Sequence, residues 1–161
     1  MVIKEDLGDS ISLRQAQHSD EEFLFDLFAS SRPDLTNPSF DEVIGKHLLS
    51  MQFQARSLEY EKTYPSAENL IIQHEDRQVG RLLTDSAESI ITLVDICLLP
   101  SMRRRGIGTQ LIRALQRTGK HQGAKILLTV AKDNLAAIRC YEKLNFAAVS
   151  SDHFYWFMEW S

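Results

Sequence analysis

The stretch LLPSMRRRGIGTQLIRAL, residues 98–115, joins two segments of different periodicity. An apolar run ends at Pro100, and beyond the glycines apolar residues recur at the spacing of one helix face. Three arginines and two glycines fill the junction. The start of a helix exposes unpaired backbone N–H groups, glycine lets a ligand approach the backbone, and arginine adds charged donors. The junction therefore predicts an anion site suited to a pyrophosphate, with a plain turn carrying solvated arginines as the alternative.

The positive charge of this junction is a local feature, because the chain as a whole is acidic. Its 161 residues carry a formal net charge of -4, with 43% hydrophobic and 25% charged residues. That composition is typical of a globular protein with a sizeable core, and we expect one domain over residues 1–161. The negative balance argues against nucleic acid and anionic membranes as partners.

The sequence gives no sign of export or membrane insertion. No apolar stretch approaches the length of a membrane span, and the opening residues MVIKEDLGDS lack the apolar middle of a signal peptide. Cys97 and Cys140 lie inside apolar segments, as buried thiols of a reducing compartment do. The five histidines show no metal-ligand spacing, so we expect no metal. We expect a cytoplasmic protein.

Hydrophobic periodicity and turn residues predict the order strand, helices, hairpin, long strand, helix, strand, helix and two strands. Ser19 and Glu22 predict a capping box before the first helix, and a long helix is predicted from Phe40 to about Tyr60. Asp76-Arg77 is the predicted hairpin turn. The strands are predicted at residues 11–17, 69–75, 78–85, 89–100, 125–130, 146–151 and 153–160. This order predicts a mixed sheet with helices on its faces.

Two common phosphate motifs do not fit the junction, and a third does. A P-loop needs Gly-Lys-Ser/Thr, but Thr109 follows Gly108, and the dinucleotide fingerprint needs a glycine where Leu111 stands. The pattern R/Q-x-x-G-x-G/A is matched by Arg103, Gly106 and Gly108. In this pattern the sequence resembles the GNAT superfamily of acyl-CoA N-acyltransferases.

A second segment carries the same resemblance. DNLAAIRCYEKLNF, residues 133–146, is similar to that superfamily's signature of an Asn, an Ala and Tyr-Glu-x-Leu-Gly-Phe, here Asn134, Ala137, Tyr141, Glu142, Leu144 and Phe146. Asn145 stands where glycine is usual, and both residue types tolerate a positive φ. MQFQARSLEYEKTYP and LVDICLLP also resemble segments of small bacterial members of unassigned substrate.

The resemblance implies an α/β (α+β) fold: a GNAT-like mixed, mostly antiparallel sheet of about seven strands, with flanking helices and a pair of parallel strands that splay apart. Acetyl-CoA would lie in the opening as co-substrate, with its pantetheine arm on freed backbone of the long strand and its pyrophosphate on the junction. The cofactor-binding residues so implied are Ile96, Leu98, Leu99, Arg103, Arg104, Arg105, Gly106, Ile107, Gly108, Thr109 and Asn134. Asn134 is also suited to cap the helix that it precedes.

Transfer from a thioester to an amine needs a neutral amine, a donor for the carbonyl oxygen, and a proton or hydrogen bond for the leaving thiolate. The resemblance implies that Tyr141 serves the thiolate. Because its free pKa is about 10, a hydrogen bond that strengthens as charge builds suits it better than full proton transfer. The alternative is a tyrosine that only packs on its helix face.

Asp95 is the candidate base, because it is the one carboxylate in IITLVDICLLP. Strand alternation would place it on one face with Leu93 and Cys97. Burial without a partner would raise the pKa of such a carboxylate. The alternatives are a carboxylate held by backbone donors or an arginine, and deprotonation through water, which many members of the superfamily use. Thr129 stands where some relatives carry a glutamate.

Residues 29–64 most often shape the acceptor pocket in this superfamily. The substrate-binding candidates there are Phe53, Arg56 and Tyr60. The alternative is that Phe53 and Tyr60, together with Met51 and Leu58, pack on the sheet.

The leading prediction is an enzyme that transfers an acyl group, in the first place acetyl, from acyl-CoA to an amine by direct attack in a ternary complex. A non-catalytic acyl-CoA-binding module is the alternative, since no base is obvious. A nucleic-acid binder is disfavoured by the acidic charge. We expect a small-molecule or peptide amine as the acceptor, no nucleic acid and no membrane, with a homodimer left open.

Overall fold

The structure, a computed structural model, describes residues 2–3, 7, 10–37 and 41–161. Within them, seven strands form one sheet in the order β1-β2-β3-β4-β5-β7-β6. The strands are β1 Ile11–Gln15, β2 Glu68–His74, β3 Arg77–Ala87, β4 Ile90–Leu98, β5 Lys125–Ala131, β6 Ala147–Ser151 and β7 Tyr155–Trp160. The helices are α1 Glu21–Ala29, α2 Pro33–Thr36, α3 Glu42–Thr63, α4 Ile107–Gln122 and α5 Leu135–Lys143. Phe40, the predicted start of the long helix, lies outside the described residues.

Neighbouring strands pair antiparallel except for β4 and β5, which are parallel. The parallel pairing runs only from Ile90 opposite Lys125 to Leu93 opposite Leu128. Beyond it, β4 continues along β3 and β5 continues along β7. The two parallel strands therefore separate, and the predicted mixed, mostly antiparallel sheet with a splayed parallel pair is confirmed.

A bulge in β4 sets which side chains face each side of the sheet. Asp95 lies opposite Leu83, whereas Leu93 lies opposite Thr84, so β4 holds one extra residue between them. Leu83 and Thr84 are consecutive and point to opposite faces. The prediction that Asp95 shares a face with Leu93 is therefore wrong, because the bulge interrupts the alternation. Cys97, two residues beyond Asp95, does share its face.

Helices lie on both faces of the sheet, as predicted. The main core joins buried residues of α4 and α5 to residues of β2, β3, β4 and β5. Helix α1 packs against β3, β4 and α3, and its Leu24 and Leu27 are buried outside that main core. The splayed ends of β4 and β5 are thus flanked by α1 and α3 on one side and by α4 and α5 on the other.

Helix α4 forms where the apolar periodicity predicted it. The four residues predicted for its apolar face are all buried: Ile107, Leu111, Ile112 and Leu115. The helix ends at Gly123, whose φ of 64° is a left-handed conformation that glycine adopts with little strain. At its other end the helix begins at Ile107, directly after Gly106, so the arginine-glycine junction lies at the helix start.

Two local predictions are wrong. Asp20, not Ser19, precedes helix α1, and its buried carboxylate is ion-paired. The hairpin turn consists of Glu75 and Asp76, with φ of 49° and 61°, so Arg77 already belongs to β3. Neither difference moves the elements that border the splayed strands.

In the part of the chain that the structure describes, no helix is both long enough and apolar enough to cross a membrane. The same residues contain no group of three or more His, Cys, Asp or Glu side chains arranged to hold a metal ion. Cys97 and Cys140 are free thiols.

Candidate functional site

The separation of β4 and β5 opens a cleft of about 720 Å³. The loop side of this cleft is lined by Arg103, Arg104, Gly106, Gly108, Thr109, Asn134, Ala136, Ala137, Cys140 and Tyr141. The arginine side is lined by Leu24, Leu27, Phe28, Ser31, Phe53, Arg56, Ser57, Arg81, Asp95 and Cys97. The remaining lining residues are Ile96, Leu98 and Ile112. One cleft therefore holds residues from both predicted motifs and from the predicted acceptor region.

The backbone of the loop side is open where helix α4 begins. Gly106 has a φ of 85°, and the first helical hydrogen bond runs from the Gln110 N–H to the Gly106 carbonyl at 2.9 Å. The N–H groups of the turn before Gln110 therefore have no acceptor within the helix. A Cβ atom added at Gly106 or Gly108 would meet no atom within 4 Å. Free donors beside open space fit a pyrophosphate on this loop.

The three arginines of the junction are placed differently. Arg103 Nε donates to the carbonyl oxygen of Leu98 at 2.9 Å, which ties the loop to the end of β4. Arg104 has a φ of 61° and lines the cleft. Arg105 is exposed and does not belong to the lining. Ile107 is buried in the core, so any contact it makes with a ligand involves its backbone.

Of the three residues expected to meet a pantetheine arm, the two that belong to β4 have backbone groups directed at the cleft. The Leu99 N–H donates to the Val79 carbonyl at 2.9 Å, across to β3. Because bonded pairs alternate in an antiparallel ladder, Ile96 and Leu98 direct their backbone groups away from β3. Those groups face the side where pairing with β5 has ended. Leu99 also accepts the Met102 N–H, and the structure does not bring it into the cleft.

Tyr141 connects the core to the loop side. Its ring centroid lies 5.8 Å from that of Phe146, and only 8% of the residue is exposed. Burial raises the pKa of Tyr141 above its ordinary value, and the nearby Cys140 and Asp95 act in the same direction. The hydroxyl therefore stays protonated at physiological pH, which leaves it a hydrogen-bond donor at the edge of the cleft.

Asn134 combines a helix cap with a place in the cleft. Its Oδ1 accepts the Ala137 N–H at 3.2 Å and so caps α5. Thr109 Oγ1 lies 3.7 Å from Cys140 Sγ, which joins α4 to α5 beside the loop. Asn145, where the resemblance expected glycine, has a φ of 63°.

Asp95 is held between two arginines on the arginine side. Arg56 Nη2 donates to Asp95 Oδ1 at 3.1 Å, and Arg81 Nη1 lies 3.8 Å from Asp95 Oδ2. The side chains of Arg81 and Asp95 are 14% and 15% exposed, whereas that of Arg56 is 41% exposed. Among the described residues that line the cleft, Asp95 is the one carboxylate. The contacts correspond to the alternative in which an arginine holds this group.

Tyr60 does not line the cleft but supports both arginines. Its hydroxyl accepts a hydrogen bond from Arg56 Nε at 2.7 Å. The guanidinium carbons of Arg56 and Arg81 lie 5.2 and 5.5 Å from its ring centroid, within cation–π range. Tyr60 thus fixes the spacing of the two cations rather than touching the open space.

Sequence reasoning missed most residues of the arginine side, among them Arg81, Phe28, Leu24 and Leu27. The Phe28 ring lies 5.7 Å from that of Phe53, and the two form part of an apolar wall beside the arginines. Arg81 is the one cation in the apolar run VGRLLT of β3, the same signal that pointed to Asp95 in β4. The alternative that Met51 and Leu58 pack on the sheet is wrong, since these residues are 54% and 65% exposed.

Comparison with known proteins gives one family and one partial relative. The sequence model of the acetyltransferase (GNAT) family matches residues 24–146. The N-acetyltransferase YobR of Bacillus subtilis (strain 168) is 40% identical over 63 residues, which are 38% of this chain and 26% of YobR. The match thus spans about a quarter of the length of that relative.

Solved structures share the fold at low sequence identity. PaiA N-acetyltransferase from Thermoplasma acidophilum, solved in complex with coenzyme A, gives a TM-score of 0.70 at 18% identity over 94% of this chain and 98% of PaiA. A Salmonella typhimurium acetyltransferase that modifies the N-terminal serine of a 50S ribosomal subunit protein gives a TM-score of 0.66, at 18% identity over 96% of both chains. These likenesses concern the fold.

Proposed function

We propose that this chain, which belongs to the acetyltransferase (GNAT) family, transfers an acetyl group from acetyl-CoA to an amine. The observation that carries the proposal is one cleft that is lined by the open backbone at Gly106 and Gly108, by Tyr141 and by Asp95. A polyanion, a thioester and an amine fit along it in that order.

The loop side has the donors that coenzyme A requires. The N–H groups of the first turn of α4, together with Arg104, would bind the pyrophosphate through backbone and charged hydrogen bonds. The backbone of Ile96 and the N–H of Leu98 would pair with the pantetheine arm, since β5 no longer occupies that edge, whereas the Leu98 carbonyl already accepts from Arg103 Nε. Asn134 lines the same passage, on the α5 side.

Acetyl-CoA, when bound, supplies the acetyl group as a thioester. The transfer forms a bond from the amine nitrogen to the acetyl carbon and breaks the bond from that carbon to sulfur. The amine loses a proton, and the departing sulfur takes a proton or a hydrogen bond. We assign the hydrogen bond to Tyr141, because its raised pKa keeps the hydroxyl protonated. A donor whose bond strengthens as negative charge builds on sulfur lowers the barrier without full proton transfer.

Asp95 is proposed to orient a water that takes the proton from the amine and passes one of its own protons to Asp95 Oδ2. Its Oδ1 is engaged by Arg56, and its Oδ2 lies 3.8 Å from Arg81, which leaves that oxygen able to accept a further hydrogen bond. A carboxylate that already accepts a guanidinium hydrogen bond has fewer lone pairs to offer an amine directly. Asp95 would therefore act on the amine through the water.

The proposal extends to the compartment. Cys97 and Cys140 are free thiols that line the cleft, which suits a reducing cytoplasm. The acceptor is an amine on a small molecule or a peptide.

Thermal unfolding with and without acetyl-CoA tests cofactor binding. At a ligand concentration about 100 times Kd, mass action adds about 2.7 kcal/mol of stability, which raises Tm by a few degrees. Release of free thiol in the presence of a panel of amines tests transfer. No Tm shift with millimolar acetyl-CoA or free CoA would refute the cofactor assignment. A shift without thiol release over the whole panel would favour an acyl-CoA-binding module.

A further inference from the structure

The arginine side of the cleft has an excess of positive charge. Of the described residues that line it, Arg56 and Arg81 are cations and Asp95 is the one anion. Both guanidiniums approach the same carboxylate, at 3.1 and 3.8 Å. Two cations against one anion leave a net positive charge in a partly buried place, and such a charge is stabilised by an added anion.

Arg81 is the less satisfied of the two cations. Its Nε donates to Asn69 Oδ1 at 2.8 Å, but its Nη1 lies 3.8 Å from Asp95, beyond hydrogen-bonding distance. The side chain is only 14% exposed, so water compensates poorly. Burial lowers the pKa of Arg81 despite the neighbouring Asp95. The end of this guanidinium is therefore suited to receive a carboxylate from outside the protein.

The surface next to these arginines is apolar. Leu24, Leu27, Phe28 and Phe53 line the same side of the cleft, and the last two rings are 5.7 Å apart. A molecule bound here would meet a charged corner and a hydrocarbon wall together. That combination favours binding of an apolar anion over a polyamine, because a polyamine has no carboxylate to pair with Arg56 or Arg81.

We propose that the acceptor is a small molecule of amino acid type, an amine with its own carboxylate and an apolar body. Arg56 and Arg81 bind the carboxylate, the apolar wall holds the body, and the amine points along the cleft toward Tyr141. A guanidinium binds a carboxylate through two parallel hydrogen bonds, which fix the orientation of the acceptor as well as adding affinity. This inference rests on the proposed function and specifies its acceptor.

The arginines would also help the chemistry. An amine reacts only when neutral, and nearby positive charges favour its neutral form. A carboxylate on the same molecule lets the acceptor bind in spite of that repulsion. An amine without a carboxylate would bring a further cation to a site that already holds two.

Matched acceptors test the inference directly. Leucine and phenylalanine are compared with their carboxamides and with isoamylamine and phenethylamine, which lack the carboxylate. Thiol release from acetyl-CoA is measured, and kcat/KM is expressed per neutral amine because the compounds differ in amine pKa. We expect the carboxylates to be preferred by about 10- to 100-fold, the scale of a charged hydrogen-bond pair.

Three variants locate the preference. Arg56→Gln removes one cation, and Arg81→Lys keeps the charge but loses the planar fork. Each should reduce the carboxylate preference by about tenfold while acetyl-CoA affinity stays the same. Arg77→Gln, an exposed position on the same strand as Arg81, is the matched control and should keep the preference. If Arg81→Lys does not fold, Arg56→Gln alone tests the carboxylate preference. The Arg56 side chain is 41% exposed, so its replacement should leave the protein folded.

The outcomes separate this inference from the function that it rests on. Equal or better use of carboxamides or plain amines by the wild type overturns it, and so does an unchanged preference in Arg56→Gln. Failure to acetylate any carboxylate-bearing amine while acetyl-CoA still binds also overturns it, and leaves the cofactor assignment intact. Failure to bind acetyl-CoA refutes the proposed function itself.

Discussion

The loop side and the arginine side of the cleft offer different chemistry to a ligand. The loop side presents backbone, namely the N–H groups at the start of α4 and the edge of β4 at Ile96 and Leu98 that no longer pairs with β5. The arginine side presents side chains from α1, α3, β3 and β4. Backbone donors are present whatever the side chains are, so they suit coenzyme A, which every acetyl transfer uses. Side chains differ from one acetyltransferase to another, so they suit the choice of acceptor. We therefore propose that the loop side binds the cofactor and that the arginine side selects the acceptor.

The largest effect expected from this division comes from Gly108→Asp. A Cβ at this position meets no atom within 4 Å, so the variant should fold with an unchanged Tm. Its carboxylate would stand in the open space beside the first turn of α4 and repel a pyrophosphate. We expect acetyl-CoA affinity to fall by at least about 100-fold, measured by calorimetric titration.

Gly108→Ala separates charge from bulk at the same position. It adds only a methyl group in the open space and should lose much less affinity than Gly108→Asp. Equal affinity of wild type and Gly108→Asp would place the pyrophosphate elsewhere and break the assignment of the loop side.

Tyr141→Phe should produce the next largest effect, on turnover. The change removes the hydroxyl and keeps the ring that packs on Phe146. If the hydroxyl serves sulfur in the transition state, kcat falls by about 100-fold while acetyl-CoA affinity is nearly unchanged. Since burial raises the pKa of Tyr141, the wild type should show no loss of kcat from this group up to at least pH 10, its ordinary pKa being about 10. A change confined to KM would instead make the hydroxyl a ground-state contact.

The arginine-glycine junction of the loop side could be predicted from sequence because its parts are contiguous, whereas Asn134 and Tyr141 of the same side came from the resemblance carried by residues 133–146. The strand end, the glycines and the start of α4 follow one another within residues 98–115, and the helix start itself creates the donors. The resemblance to the GNAT superfamily, which rested on this segment and on residues 133–146, is confirmed by the family match. The mixed sheet with helices on its faces followed from the order of elements, and the mostly antiparallel sheet with a splayed parallel pair followed from the resemblance; both are confirmed.

The arginine side could not be predicted in the same way. Arg56, Arg81 and Asp95 come from three different elements, so their meeting depends on tertiary packing. The bulge that turns Asp95 away from Leu93 leaves no mark in the hydrophobic pattern, because its neighbours in β4 are all apolar. The resemblance implied that Leu99 meets the cofactor, but the Leu99 N–H donates to Val79 of β3, and which backbone groups pair with β3 is decided by the register of the two strands.

Asp95→Asn tests whether Asp95 acts in proton removal or only holds the two arginines in place. The variant keeps the shape and removes the charge that holds Arg56. If Asp95 orients the water that takes the proton, kcat should fall by about tenfold. The acceptor KM should not rise, because both guanidiniums become free for the acceptor's carboxylate. Steady-state kinetics with leucine decide this, and a raised KM at constant kcat would make Asp95 only a support for the arginines.

The smallest effect is expected at Asn134, which is proposed both to stabilise α5 as its cap and to bind acetyl-CoA. Its Oδ1 caps α5 through the Ala137 N–H, and its amide group lines the cleft. Asn134→Ala loses both roles and should lower the free energy of unfolding by about 1 kcal/mol. Asn134→Ser keeps a capping oxygen and loses the amide, so its stability should stay near that of the wild type. If the amide contacts the pantetheine arm, both variants bind acetyl-CoA about two- to tenfold more weakly. Urea unfolding and calorimetric titration of the two variants measure the roles separately, and wild-type affinity in Asn134→Ser would reduce this residue to a helix cap.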